Sequence, residues 1–440
     1  MKIAFFSDCY LDLTGGIVTS INAQKRALEA LGHEVGIFTT AYPKTPQALG
    51  KLAKNHIYVV PSCKYLVRGA TPVSRRPGNV EQWLLREHPE LKDYDIFYIH
   101  YESGCSIAGL RLGKKLSIPT VQVMHGREDM GVTGIIPRGL RTAVATLLNW
   151  FHSWYLPHPT QIKKDTYLAD TLAKAKMWTL MVNHANAADL VLTPSRHFRD
   201  KLVHYGVTRP VKVFPNGYPD DKFSERPPAK VLQPGAELRI IWHSRVSGEK
   251  RIMVLLQALT GVVGPYRLDV YGDGPDLKKA QKFSTRHQLN VVFHGAVPFA
   301  KLRPAILKAH LDALISYNYD TFGMTLIEAE AYGTPVLICD PDLREVVPRG
   351  GYILSKSASP DDLAIALSDL LAHPAKIHQL STVMLEHRDE VLISHRIHIL
   401  IQLFQELAKH QHKFRQPTIG NQVSNQISPT KKRPQSRDRI

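Results

Sequence analysis

Short runs rich in β-branched and aromatic residues recur along the first half of the chain, at KIAFF, EVGIFTT, HIYVVP, DIFYIHY, TVQVMHG and ADLVLTP. Between several of them apolar residues fall three or four apart, most clearly in IVTSINAQKRALEALG and IAGLRLGKKL. Strand and helix patterns in alternation predict parallel βαβ units and a doubly wound sheet. The opening unit is the best marked: a strand, then Gly15 and Gly16, then an amphipathic helix closed by Gly32. A second alternating series runs through LRIIWHS, RLDVYGDG, NVVFHG, LDALISY and PVLICD. The segment between the two, from Ser224 to Glu237, is rich in proline and charge and lacks apolar periodicity, as an interdomain linker does. The expected fold is α/β, with one Rossmann-like domain over residues 1–223, a linker over 224–237 and a second Rossmann-like domain over 238–388. After Pro374 the pattern is helical to about His410. Residues 413–440 are polar and are expected to form a basic, disordered tail.

Length and composition narrow the class. A chain of 440 residues holds about two or three domains, and 44% apolar with 22% charged residues is ordinary for a soluble globular protein. The Met-Lys start runs straight into a strand, and no uninterrupted apolar run reaches the ~20 residues that span a bilayer, so a cytoplasmic protein is expected. Cys9, Cys63, Cys105 and Cys339 are scattered without metal or redox spacing, which fits reduced thiols. The balance of 56 basic against 39 acidic residues gives +17. A nucleic acid, an anionic membrane, an acidic substrate or plain solubility each accounts for that charge.

The chemistry concentrates in residues 317–337, YNYDTFGMTLIEAEAYGTPVL, where Asp320 and Glu328 stand eight positions apart around Phe322-Gly323. A short loop there enters a helix, whose free N–H groups and dipole favour an anion. Flanking carboxylates suit hydroxyl recognition, because a carboxylate accepts two directed hydrogen bonds from a diol. The combination reads as a holder for a phosphate that carries sugars on both sides. Arg245 and Lys250, in WHSRVSGEKRI, follow the first strand of the second series, where a loop faces the ligand crevice. Two cations there would neutralise a diphosphate. The string Asp340-Pro341-Asp342 has the form of a metal-binding D-x-D, but Pro341 makes it turn chemistry. His125 ends the strand TVQVMH, and His100 ends DIFYIH on the same expected wall. Gly15-Gly16, Gly272 with Gly274, and Gly295 each follow a strand, as a permissive turn or as a close approach to ligand.

The 317–337 segment resembles the acid, seven residues, acid signature of the family 4 retaining glycosyltransferases, whose two Rossmann-like domains face a central cleft in the GT-B arrangement. The first acid of that signature is usually Glu and here is Asp320, which leaves the donor sugar open. The resemblance implies a nucleoside diphosphate sugar as co-substrate, with no cofactor and no required metal. It places the backbone near Gly323, Met324 and Thr325 on the phosphates, Glu328 on the ribose and Asp320 on the transferred sugar. Arg245 and Lys250 look like the family's diphosphate site, with Ser244 in place of a more usual glycine. His125 matches a cleft histidine near the reacting sugar, Gly16 a loop that approaches donor phosphate or acceptor, and Gly272 and Gly295 the nucleotide side. In GT-B proteins the last helix crosses back onto the first domain, here expected at 389–412. FGMTLIEA and LSIPTVQVMHG are similar to bacterial diacylglycerol glucosyltransferases, which implies UDP-glucose as donor and a membrane glycerolipid as acceptor.

A further stretch bears on the acceptor. In PRGLRTAVATLLNWFHSWYL, within an aromatic and basic insert at about 136–180, Leu140, Ala143, Leu147, Phe151, Trp154 and Tyr155 recur at helical spacing. Arg138 and Arg141 precede and Lys163, Lys164, Lys174 and Lys176 follow, so an anionic bilayer is one partner for this helix. A core helix over the first domain's sheet is the other reading. With the basic tail, the first makes the protein peripheral on the inner face of the cell membrane. Cell-wall, teichoic acid or exopolysaccharide acceptors form an alternative within the same enzyme class. A basic nucleic-acid-binding protein is the alternative from outside the enzymes, suggested by the charge and the tail; no aromatic RNA-binding signature or helix-turn-helix accompanies them, so a nucleic-acid partner is not expected. Oligomeric state is not legible.

Overall fold

A computed structural model of the chain describes residues 1–9, 15–40, 46–62, 74–223 and 225–415. The expected disordered tail, 413–440, is corrected at its start, where residues 413–415 continue the helix Ile393–Arg415; its remainder, 416–440, and Cys63 and Ser224 lie outside the described residues. The first sheet holds β1 (Lys2–Ser7), β2 (Glu34–Thr39), β3 (Ile57–Val59), β4 (Ile96–Ile99), β5 (Thr120–Val123), β6 (Leu190–Thr193) and β7 (Val211–Val213). Its order is β3-β2-β1-β4-β5-β6-β7, and every pairing is parallel. The second holds β8 (Leu238–His243), β9 (Tyr266–Tyr271), β10 (Val291–Gly295), β11 (Leu311–Leu314), β12 (Val336–Ile338) and β13 (Tyr352–Leu354). It is also parallel, in the order β10-β9-β8-β11-β12-β13. Two Rossmann-like domains in the GT-B arrangement are thus present. The edge strands β7 and β13, three residues each, were not expected.

Alternation along the central strands explains why both faces of the first sheet are covered. Ile3 and Phe5 of β1 with Ile96 and Tyr98 of β4 enter one core, and Ala4, Phe6, Phe97 and Ile99 enter the opposite one. The first of these cores is completed from the far end of the chain. Ile393, Ile397, Leu400 and Phe404, one face of the helix Ile393–Arg415, pack there. Where the chain crosses, Tyr218 N–H donates to the Val391 carbonyl at 2.6 Å and Ile393 N–H to the Tyr218 carbonyl at 2.9 Å. A Cβ at Gly217 would lie 2.5 Å from Ile393 Cα, so this crossing needs glycine.

In each sheet the strand order reverses once, between β1 and β4 and between β8 and β11. The crevice beyond the carboxyl ends at such a point is where open α/β sheets take ligands. Here the two crevices meet. Arg127 Nη1 donates to the Asn318 carbonyl at 2.9 Å, and Thr321 Oγ1 to the His125 carbonyl at 2.5 Å. Lys201 pairs with Asp342 at 2.6 Å across the same boundary.

Candidate active site

The site is built on the helix Met324–Ala331, which opens directly after β11 and its loop. Gly323 caps it at φ 76°, and a Cβ there would sit 2.9 Å from Leu314 Cδ2. The left-handed backbone and the close packing both select glycine. The turn aims the first N–H groups of the helix into the cleft, beside Thr325, whose buried hydroxyl has no partner among the described residues. One turn on, Glu328 faces the same way as Thr325.

Behind Glu328 lies a pair that sequence reasoning missed. The Glu328 carboxylate stands 3.3 Å from His243 Nδ1, and His243 Nε2 stands 2.5 Å from an Asp312 carboxylate oxygen. His243 ends β8 and Asp312 lies in β11, the two strands at the reversal point. Burial alone would discharge the imidazole, but Asp312 and then Glu328 outweigh it and raise His243 to about 10. We therefore read His243 as a buried cation at neutral pH. It holds one end of the Glu328 carboxylate. The available signal was an acid inside the buried run LDALI, which demands a cation nearby.

The expected cations lie across from this helix. Lys250 Nζ is 2.6 and 2.9 Å from the two oxygens of Asp320, which also accepts from Ser316 Oγ. Arg245 pairs with Glu249 and reaches the Tyr319 hydroxyl at 3.3 Å; Lys250 lies 5.2 Å from the centre of the Tyr319 ring. Arg245, Lys250 and Asp320 are thus gathered into one cluster around Tyr319. Gly272 (φ +146°) could not be replaced, because a Cβ would lie 2.0 Å from the Ser244 carbonyl oxygen. Its N–H donates to the Gly295 carbonyl at 2.8 Å, so the loops after β8, β9 and β10 form one wall.

The first domain supplies the facing wall. A Cβ on Gly16 would stand 3.0 Å from Met324 Cγ, which brings these two sequence candidates together across the cleft. His125 Nε2 lies 3.1 Å from His100 Nδ1, with the rings stacked at 5.4 Å. Burial lowers His125 to about 4, so it is neutral through the physiological range. Arg127, also missed, forks onto Asp129 at 2.6 and 2.7 Å while it bridges to Asn318. Glu128 opens the helix Glu128–Ile135, which packs near the Gly248–Lys250 turn; burial, then Asp129, push its carboxyl up to about 7. In the D-x-D string, Asp340 accepts from the Asn318 and Asp342 N–H groups, and Asp342 holds Lys201. Both carboxylates are engaged in turn and interdomain structure.

Comparison with known proteins bears on this arrangement directly. Residues 14–222 match the family model described as Glycosyltransferase Family 4, and residues 237–373 match that described as Glycosyl transferases group 1. The chain belongs to glycosyltransferase family 4. Alpha-monoglucosyldiacylglycerol synthase of Streptococcus pneumoniae is 27% identical over 354 residues, covering 77% of this chain and 70% of that protein. The protein of the same name from Acholeplasma laidlawii is 25% identical over 373 residues, covering 80% and 83%. A crystal structure of Anabaena HepE in complex with UDP superposes with a TM-score of 0.64 at 16% identity, over 94% of this chain and 100% of that one. The cleft between the two sheets is therefore that of a glycosyltransferase, and among the described residues no helix is long and apolar enough to cross a membrane.

Proposed function

We propose that this glycosyltransferase moves a hexose from a nucleoside diphosphate sugar, UDP-glucose, to a membrane glycerolipid such as diacylglycerol, with retention of anomeric configuration. One observation carries the donor half. The Lys250–Asp320 ion pair and the Glu328–His243–Asp312 chain flank the same helix N-terminus. In this reading the diphosphate lies on the first N–H groups after Gly323, with Met324 and Thr325 beside it. Glu328 takes the ribose diol, and Gly272 and Gly295 border the base. Lys250 turns from Asp320 to the phosphate, and Asp320 is released to the hexose hydroxyls.

As the bond from the anomeric carbon to the phosphate oxygen breaks, negative charge grows on the leaving diphosphate. Arg245, Lys250 and the helix N-terminus oppose that charge where it develops. These groups take the part a divalent ion plays elsewhere, and no metal is required. The acceptor oxygen bonds to the anomeric carbon on the face the phosphate leaves, and its proton passes to a phosphate oxygen. His125, neutral and steadied by His100, orients a sugar or acceptor hydroxyl.

The acceptor half rests on the two relatives named as alpha-monoglucosyldiacylglycerol synthases. The donor base is supported by the fold neighbour crystallised with UDP. An acceptor of this kind resides in a bilayer, so the protein works as a peripheral enzyme on the inner face of the cell membrane. The test is radiolabelled UDP-glucose with diacylglycerol in mixed micelles. A labelled glycolipid with an α-anomeric proton signal is expected. No labelled lipid from UDP- or GDP-hexoses overturns the reading.

A further inference from the structure

The helix Arg141–Ser153 sits on the first domain inside out. Its buried residues are Ala145, Asn149 and His152, two of them polar. Its outward stripe is apolar: Leu140 and Leu147 are each 58% exposed, and Trp150 and Trp154 each 54%. Ala143 lies exposed on the same stripe, which repeats at three and four residues, so the five form one continuous helical face. Trp150 and Trp154 meet edge to face at 4.1 Å. Phe151 and Tyr155, placed on the apolar face by spacing alone, are instead half-buried at its border.

The polar inner side anchors the helix to the body of the domain. Asn149 Nδ2 donates to the carbonyls of Ala145 at 2.8 Å and Lys176 at 2.7 Å. His152 Nε2 lies 3.0 Å from His184 Nδ1, His184 Nε2 lies 3.0 Å from Gln122 Oε1, and Gln122 Nε2 reaches the Tyr101 carbonyl at 3.3 Å. This chain runs from the aromatic helix through β5 to the loop beside His100. Core burial accounts for none of the outward Leu and Trp surface, because an apolar face that wide in water is unfavourable.

Charge identifies the occupant. The insert at 136–180 carries Arg138, Arg141, Lys163, Lys164, Lys174 and Lys176 against only Asp165 and Asp170. Both acids are engaged within the domain: Asp165 accepts from the Tyr205 hydroxyl and Asp170 from Lys174. Arg138, Lys163 and Lys164 are exposed. A second copy of the chain docked on this face would bring like charges together. An anionic headgroup layer pairs with the cations and takes indole rings at its apolar boundary.

We propose that Leu140, Leu147, Trp150 and Trp154 seat the enzyme on an anionic lipid bilayer. This rests on the glycerolipid reading, and it gives that reading an orientation. The helix follows Glu128–Ile135, which lines the cleft three residues beyond His125, so docking presents the acceptor side of the cleft to the lipid.

The test compares wild type with Trp150→Ser/Trp154→Ser and with Lys163→Glu/Lys164→Glu by sedimentation with phosphatidylglycerol or phosphatidylcholine vesicles. Wild type should bind phosphatidylglycerol vesicles, less so in high salt. Each variant should lose about tenfold in partitioning. Both should keep wild-type circular dichroism and wild-type transfer to diacylglycerol in detergent micelles. Wild-type partitioning by the tryptophan variant overturns the proposal. So does a wild-type dimer that the variant dissolves and that ignores vesicles. A wild type that binds vesicles but glucosylates no micellar diacylglycerol sinks the acceptor reading and leaves the surface standing.

Discussion

The two walls of the cleft are made on different physical terms. On the second domain, the expected ligand contacts already form a closed electrostatic network: Lys250 on Asp320, Arg245 on Glu249, Glu328 on His243. On the first domain the candidates rest on backbone and rings, with His125 stacked on His100 and Gly16 against Met324. The first arrangement suits a ligand whose charge changes during the reaction, because cations and helix N–H groups gathered at one place oppose the new charge where it develops. The second suits a largely uncharged acceptor, for which shape and access matter more than field. The difference teaches where substitutions will hurt catalysis and where they will alter access.

The sharpest way to break that contrast is Lys250→Ala. On the proposed donor reading, removing this cation should lower kcat/KM for donor by about 10³-fold while the fold is retained by circular dichroism. Parity with wild type in steady-state assays would end the electrostatic account of the donor wall. Glu328→Ala should come next, with KM for the nucleotide sugar raised about 10²-fold and kcat less affected, as expected for ribose anchoring. A fall in kcat alone would move Glu328 from anchoring to chemistry.

His243→Gln tests what lies behind Glu328 and should destabilise the fold by about 3 kcal/mol at pH 7, since it leaves Asp312 buried without its cation. The sign with pH is definite. The folded value of His243, about 10, lies above the ordinary 6.5, so its contribution is full below pH 6.5 and fades as pH rises through 10. The deficit of the variant should therefore shrink in denaturant titrations near pH 10. Glu128→Gln asks the opposite question of the first domain. Its carboxyl is raised from 4.5 to about 7, so the folded state favours the proton, and the charge becomes costly as pH climbs through that window. The glutamine variant should nearly match wild type at pH 4.5 and exceed it by up to about 3 kcal/mol at pH 8.

The donor wall was the more legible of the two. Alternating patterns exposed both parallel sheets, and the spacing of Asp320, Gly323 and Glu328 exposed the helix that carries the site. Local order sufficed there because strand, loop and helix follow directly in the chain. His243 and Asp312 escaped because their meeting depends on β8 lying beside β11, with some seventy residues between them, a pairing that no local pattern encodes. The aromatic helix was legible as a helix but not as to which side it buries. Periodicity locates an apolar face; only packing shows that Asn149 and His152 turn inward and Trp150 and Trp154 turn out. The edge strand Val211–Val213 was missed because Pro210 and Pro215 close around it and leave no longer β-rich run, as HIYVVP gave for the equally short Ile57–Val59.

The measurement closest to the central claim is a crystal structure of the protein with UDP. The account predicts diphosphate oxygens within hydrogen-bonding distance of the Lys250 ammonium and the N–H groups after Gly323. It also predicts ribose hydroxyls on Glu328 and Asp320 released from Lys250. A nucleotide bound away from the Met324–Ala331 helix, with the Lys250–Asp320 pair intact, would contradict it.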